Sequence, residues 1–217
     1  MLFWNCSMSK WSQELENDLK WREEELVLLK KQVFQAPKGS VIYQALLRAM
    51  WAILYAHYEG FCKFAWDIYL KELQNAGVKR KDCQDAIARL SLQKKFKEMR
   101  GDTSPLKMWE FGQIGFNSLL EENLDFDIKL ETESNLWPDL FKENTLLAGL
   151  NCTLVDQYEI ELKALVRRRN DIAHGQKMII KDLDEYQKYE NAALEVMHDL
   201  AISIVDCLDK KLYLKNP

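Results

Sequence analysis

In the stretch Arg169-Asn170-Asp171-Ile172-Ala173-His174, three side chains able to handle a phosphodiester stand within two helical turns. An imidazole with a pKa near about 6.5 gives or takes a proton at neutral pH. A guanidinium offers a planar fork that matches phosphate oxygens. The Asn170 amide can orient either group. Together they suit transfer of a phosphodiester from the 5′-oxygen to the neighbouring 2′-hydroxyl. The spacing sharpens the case for Arg169. Tyr158, Leu162, Leu165, Arg169 and Ile172 alternate four and three apart, which is one seam of a helix, and only Arg169 is neither apolar nor aromatic. An arginine aimed at an interior or an interface is costly unless it is paired or meets an anion. Arg167 and Arg168 fall off that seam and carry no such penalty. Asn170 and His174 are four apart and share a face beside Arg169, while Ala173 leaves room for a substrate or a partner chain. A purely structural reading has Arg169 bridged to Glu59 or another buried acid and His174 capping the helix. Residue types alone leave both readings open.

The elements that must position these residues are helices. Residues 9–35 form a charged amphipathic pattern, with Ser9 or Ser12 as N-cap and Leu15, Leu19, Leu26, Leu29 and Val33 as its apolar positions. Pro37-Lys38-Gly39-Ser40 breaks it, and Ser40 can cap a helix over 41–75 that is apolar nearly all round, the mark of a central element. Asn75-Ala76-Gly77 ends that helix. Residues 80–100 read as a third helix, and 101–105 as a loop. The stretch 106–137 is the least regular, with a short helix near 106–112 and an extended piece at 126–130. Pro138 opens a short helix ending near Gly149. The motif helix runs from Leu154 to Gly175, and Asp182 caps a last one to about Leu212. Its core candidates are Leu183, Tyr186, Ala193, Val196, Leu200, Ile204 and Leu208. The expectation is all-α: about six helices in one bundle, with an irregular insert before the motif helix, as a single domain over 1–217 (N-terminal helix 1–35, core 40–212).

Bulk numbers agree with that picture. The chain has 217 residues, 47% hydrophobic and 29% charged, which is ordinary for a globular protein. Its 8 Gly and 4 Pro are too few for the tight turns of a sandwich or barrel. A net charge of -4 provides no global basic field, so contact with a polyanion must be local. Five scattered cysteines without a CxxC pair argue against a disulfide framework or zinc site and fit a reducing cytoplasm; Cys62 and Cys207 read as core residues. Three distant histidines give no metal-ligand spacing, no glycine loop cradles a phosphate, and no cofactor is implied. Met1-Leu2-Phe3-Trp4-Asn5 lacks the features of a signal peptide. The most apolar stretch, 41–70, is too interrupted to span a membrane.

Other residues have plain alternatives. Glu59 is a charge among apolar neighbours on the central helix, either a buried acid paired with some arginine or the group that holds Arg169 ready. Asp171 joins it as a supporting residue. His57 falls in an apolar stripe and reads as a satisfied core histidine, and His198 as a solvent-side or core residue. The basic run 94–100 reads as a solvated face that could also guide RNA. The tryptophans read mostly as core.

Arg169-Asn170-Asp171-Ile172-Ala173-His174-Gly175 resembles the R-N-x-x-A-H motif of the HEPN superfamily, closing a helix late in an all-helical chain with one long helix after it. His57-Tyr58-Glu59-Gly60-Phe61-Cys62-Lys63 and the stretch from Ser134-Asn135-Leu136 to Leu147-Ala148-Gly149-Leu150 resemble stand-alone HEPN proteins of the RiboL-PSP or MAE-like type, found in defence and restriction gene neighbourhoods. The likeness spans roughly residues 40–205. It implies a homodimer whose two motifs face each other and cut single-stranded RNA without metal. Arg169 would stabilise phosphorane charge, His174 act as general base or acid, and Asn170 orient them. A toxin or defence effector, with an antitoxin or other regulatory protein as a further partner, is the expectation. The alternatives are a silent module binding RNA, nucleotide or a partner protein, and a helical scaffold.

Overall fold

The computed structural model describes residues 9–101, 104–127 and 129–217. The reading of the first five residues, Cys6, and part of the 101–105 loop lie outside the described residues. Among those described the chain is all-α with no strand, only two isolated bridges, Lys79–Asn123 and Cys83–Leu214. No described helix is long and apolar enough to cross a membrane.

Helix α1, Lys10–Gln35, starts where the Ser9 hydroxyl accepts the Ser12 N–H at 3.3 Å. It stops just before Pro37, which disfavours a helical residue ahead of it. Helix α2, Val41–Asn75, starts at Ser40, whose hydroxyl accepts the Tyr43 N–H at 3.1 Å. It ends before Gly77, which takes φ +63.

The third helix is divided. A 3-10 turn, Arg80–Asp82, precedes α3, Asp85–Ser91, and α4, Gln93–Arg100. The Ser91 hydroxyl accepts from Arg80 Nε (2.8 Å) and Asp125 N–H (3.1 Å) and donates to the Asp125 carbonyl. These tertiary bonds fix Ser91 at the break, and no local pattern announces them. The insert is also more helical than its sequence suggests. Helix α5, Pro105–Glu110, passes through a π-helical turn, Phe111–Gly115, into α6, Phe116–Glu121. The described residues around 126–130 form no strand, and residue 128 lies outside them. Helix α7 is Pro138–Leu147, α8 Leu154–Gln157, α9 Glu159–Ala173 and α10 Leu183–Asp209. The motif helix therefore carries a break at Tyr158 (φ -104, ψ 17). The Asp182 carboxylate caps α10 by accepting the Glu185 N–H at 2.9 Å.

The chain divides into two compact units. One comprises the described residues up to Ala65, Thr132–Lys142 and Cys152–Ile202, and it holds the whole motif. Its core joins Leu19, Leu26 and Val33 of α1, Trp51, Tyr55 and Tyr58 of α2, Leu162, Leu165 and Val166 of α9, and Tyr186, Val196 and Leu200 of α10. Each such side chain contributes about 1.5–3 kcal/mol on burial. The other unit comprises Trp66–Glu131, Glu143–Asn151 and Ser203–Pro217. There the buried Tyr69 hydroxyl donates to the Ala148 carbonyl at 3.0 Å, and Ile87, Leu90 and Leu124 add apolar area. Among the described residues no disulfide joins two cysteines, and Cys62 and Cys207 are buried as expected.

Candidate active site

The end of α9 explains why the motif closes as it does. Gly175 takes φ +74, a left-handed conformation that costs glycine little. That lets Gln176 N–H reach the Asp171 carbonyl at 2.9 Å and Gly175 N–H the Ile172 carbonyl at 3.0 Å, the paired bonds of a Schellman stop. The helix therefore ends with His174 at its cap, the His174 N–H bonded to the Asn170 carbonyl at 2.9 Å. The His174 ring is exposed and makes no hydrogen bond or ion pair among the described residues. Asp171 is half-buried, and its carbonyl serves the stop. The chain beyond is pinned by Gln44, whose side-chain amide donates to the Ile180 carbonyl at 2.8 Å and accepts its N–H at 3.3 Å.

Leu162 and Leu165 of the seam are fully buried, and Tyr158, Arg169 and Ile172 half-buried. Arg169 Nη1 donates to Asn170 Oδ1 at 2.9 Å, so the amide orients the arginine rather than the histidine. Arg169 Nη2 lies 3.8 Å from Glu59 Oε2, a charge contact beyond hydrogen-bond length. The other oxygen, Glu59 Oε1, accepts from Thr132 Oγ1 at 2.7 Å and Lys63 Nζ at 3.0 Å. Beneath the guanidinium lies Tyr55, with Arg169 Cζ 3.9 Å from the ring centroid. The Tyr55 hydroxyl accepts the Leu136 N–H at 2.9 Å. Burial pushes this phenol up to about 12, with the Leu136 bond pulling the other way. The structure thus joins Arg169, Asn170 and Glu59 and leaves the His174 ring apart from them, facing outward.

Thr132 and Tyr55 were not legible as site residues. Tyr55 stands one helical turn before Glu59, so the Glu59–Arg169 contact would have pointed to it. Thr132 carries no such signal. Arg168 differs from expectation: although off the seam, it is half-buried, bonds Glu185 at 2.7 Å and stacks over Trp51 at 4.8 Å. Its long stem lets it fold back over a neighbouring aromatic.

His57 is buried, as a core histidine should be. Its Nδ1 faces Arg22 Nη1 at 3.3 Å, and its Nε2 lies 2.8 Å from Glu25 Oε2, off the line of an aligned hydrogen bond. Burial first, and then the Arg22 charge, hold its pKa below the usual imidazole value. His198 lies on the solvent side, 2.6 Å from Glu23. Helix α4 buries no residue, and its Lys94 pairs with Asp127, in keeping with a solvated face. Trp51 and Trp66 are core residues, but Trp21 and Trp109 are exposed. Among the described residues no group of three or more His, Cys, Asp or Glu is placed to hold a metal ion.

The family model of MAE-like HEPN proteins matches residues 11–213. The chain belongs to this HEPN family. No curated protein and no solved structure matches it.

Proposed function

We propose that the protein is an endoribonuclease that cleaves RNA without a metal, through attack of the 2′-hydroxyl on the adjacent phosphorus. HEPN domains are often ribonucleases, and this chain keeps the groups the reaction needs. The observation that carries the reading is the state of Arg169. Its planar cation is fixed by Asn170 and a ring face, while its nearest carboxylate stands at 3.8 Å, so its charge is only partly spent within the chain. In the reaction Arg169 stabilises the charge that builds on the phosphorane oxygens. One imidazole takes the 2′-hydroxyl proton as the oxygen–phosphorus bond forms, and another protonates the departing 5′-oxygen. Each such proton transfer is worth about a hundred- to ten-thousand-fold in rate.

One chain's motif contains one histidine, and its exposed ring touches no other proton-handling group among the described residues. Two facing copies supply both roles, so the active species in this reading is a homodimer with a composite site. A cytoplasmic toxin or anti-phage effector, restrained by an antitoxin or other regulatory protein, is the biological setting it fits.

Subunit exchange tests the composite site. His174→Ala and Arg169→Ala should each abolish cleavage while keeping the helical fold. In an equal mixture of wild type and His174→Ala, random pairing leaves roughly a quarter of dimers wild type. Activity should then drop well below half, with exchange confirmed by tagged chains. Retention of one half would mean that each chain works alone.

The second reading is a silent HEPN module that binds RNA, nucleotide or a partner protein. The separation of the His174 ring from Arg169 within one chain favours it if no dimer forms.

A further inference from the structure

We propose that Tyr55 is the positioning residue of the Arg169 site: its ring face, more than the Glu59 carboxylate, sets where the guanidinium lies and leaves that cation an edge for phosphate. The proposal rests on the ribonuclease reading above and assigns Arg169 its support.

Three observations carry it. The first is the split of Glu59. Its Oε1 is engaged by Thr132 at 2.7 Å and Lys63 at 3.0 Å, and only Oε2 faces Arg169, at 3.8 Å. An arginine fully claimed by a carboxylate sits about an ångström closer, in a two-bonded fork. Glu59 therefore balances charge without occupying the guanidinium.

The second is the stack. Arg169 Cζ stands 3.9 Å from the Tyr55 ring centroid, the shortest cation–ring approach among the described residues. A ring holds a guanidinium by its flat face, whereas phosphate is bound through the N–H edge. The two uses do not compete. Nη1 is committed to Asn170 at 2.9 Å, Nη2 stands 3.8 Å from the Glu59 carboxylate, and the Tyr55 hydroxyl adds a polar contact to the guanidinium.

The third is that Tyr55 cannot drift. It is 2% exposed, its hydroxyl accepts the N–H of the fully buried Leu136 at 2.9 Å, and its ring meets that of Tyr58 edge-on. A fixed ring passes that precision to the cation resting on it. A flexible arginine would otherwise lose rotamer freedom at each turnover.

The test separates ring from hydroxyl. Tyr55→Phe and Tyr55→Leu both strip the acceptor from the buried Leu136 N–H, so both should melt lower. Only Tyr55→Leu removes the ring face. Cleavage of a single-stranded RNA oligonucleotide by the full chain should therefore keep most of its kcat in Tyr55→Phe. In Tyr55→Leu kcat should fall about tenfold with KM little changed, since the lost interaction acts in the transition state. In parallel, Tyr55→Leu, Arg169→Met and the double variant are melted. The double should lose less than the two single losses added together, because the contact is shared.

Equal kcat in the Phe and Leu variants, or kcat that simply tracks melting temperature, would overturn the proposal. So would additive melting losses, whatever the cleavage rates. If wild-type protein cleaved no RNA while the losses stayed non-additive, the contact would be real, and the ribonuclease reading would fall along with the role given to Tyr55.

Discussion

Replacing Glu59 by Gln removes one negative charge while keeping the shape of the side chain. In the folded protein Oε2 stands 3.8 Å from Arg169 Nη2, and the two side chains are 17% and 22% exposed. At an effective dielectric of about 20, a unit pair at that distance attracts by about 4 kcal/mol before desolvation is counted. Desolvation of both groups takes back much of this, and the remaining exposure screens more. A net loss of about 1–3 kcal/mol is expected, including the weaker bond from Thr132 to a neutral acceptor. For a chain of this size each kcal/mol moves the melting temperature by about 2–4 °C. Thermal melting monitored by circular dichroism should then show a drop of roughly 4–8 °C if the loss is about 2 kcal/mol. Lys63→Ala is the control. Its 3.0 Å bond to Glu59 comes from a side chain 50% exposed, and such pairs are worth about 0.3–0.5 kcal/mol. If Glu59→Gln melted no lower than Lys63→Ala, the Arg169 contact would contribute nothing. The reasoning that a half-buried arginine needs this acid would then be refuted.

Gly175→Ala places a side chain at φ +74 with nothing within 4 Å of the new Cβ, so the penalty is purely conformational. A loss of about 1 kcal/mol in urea unfolding is expected, with cleavage impaired because the turn that ends the helix at His174 is disturbed. Gly60→Ala tests a close approach, since its Cβ would stand 3.2 Å from Arg22 Nη1, and Arg22 is buried and held by Asp18 at 2.7 Å. Destabilisation by about 1 kcal/mol should appear, against the roughly 1 kcal/mol gain that alanine brings to an open helix; a gain would mean Arg22 moves freely. For His57, burial and then Arg22 lower the folded pKa, so the unfolded chain takes up the proton first. Stability should fall as pH drops below about 6.5 until the lower folded pKa is reached. His57→Gln should flatten that part of the melting-temperature profile, and an unchanged profile would count against the assignment.

The features read correctly from sequence are those with local causes. Ser9, Ser40 and Asp182 declare helix starts through their own hydroxyls or carboxylate, and Gly77, Gly149 and Gly175 declare ends through backbone freedom. Arg169 was legible because one charged residue interrupts an apolar seam, and Glu59 because it does the same on α2. Seam logic also applies to Arg22, which falls between Leu19 and Leu26 and proves to be buried. The Ser91 break, the Thr132 bond and the Tyr55 stack depend on residues that are distant in sequence. No periodicity encodes such contacts, and a tyrosine in an apolar helix reads simply as core. The helical insert was obscured because Gly112 and Gly115 interrupt it and its apolar residues, among them Leu106, Trp109, Ile114 and Phe116, stay exposed rather than lining one buried stripe.

Arg169, Asn170 and His174 are proposed to cut RNA by proton transfer with no metal. The most direct measurement incubates purified protein with single-stranded RNA in EDTA and analyses the ends of the products. The expected result is undiminished cleavage giving 2′,3′-cyclic phosphate and 5′-hydroxyl ends, absent from His174→Ala. Cleavage that vanished in EDTA and returned with magnesium, or products with 5′-phosphate ends, would contradict it.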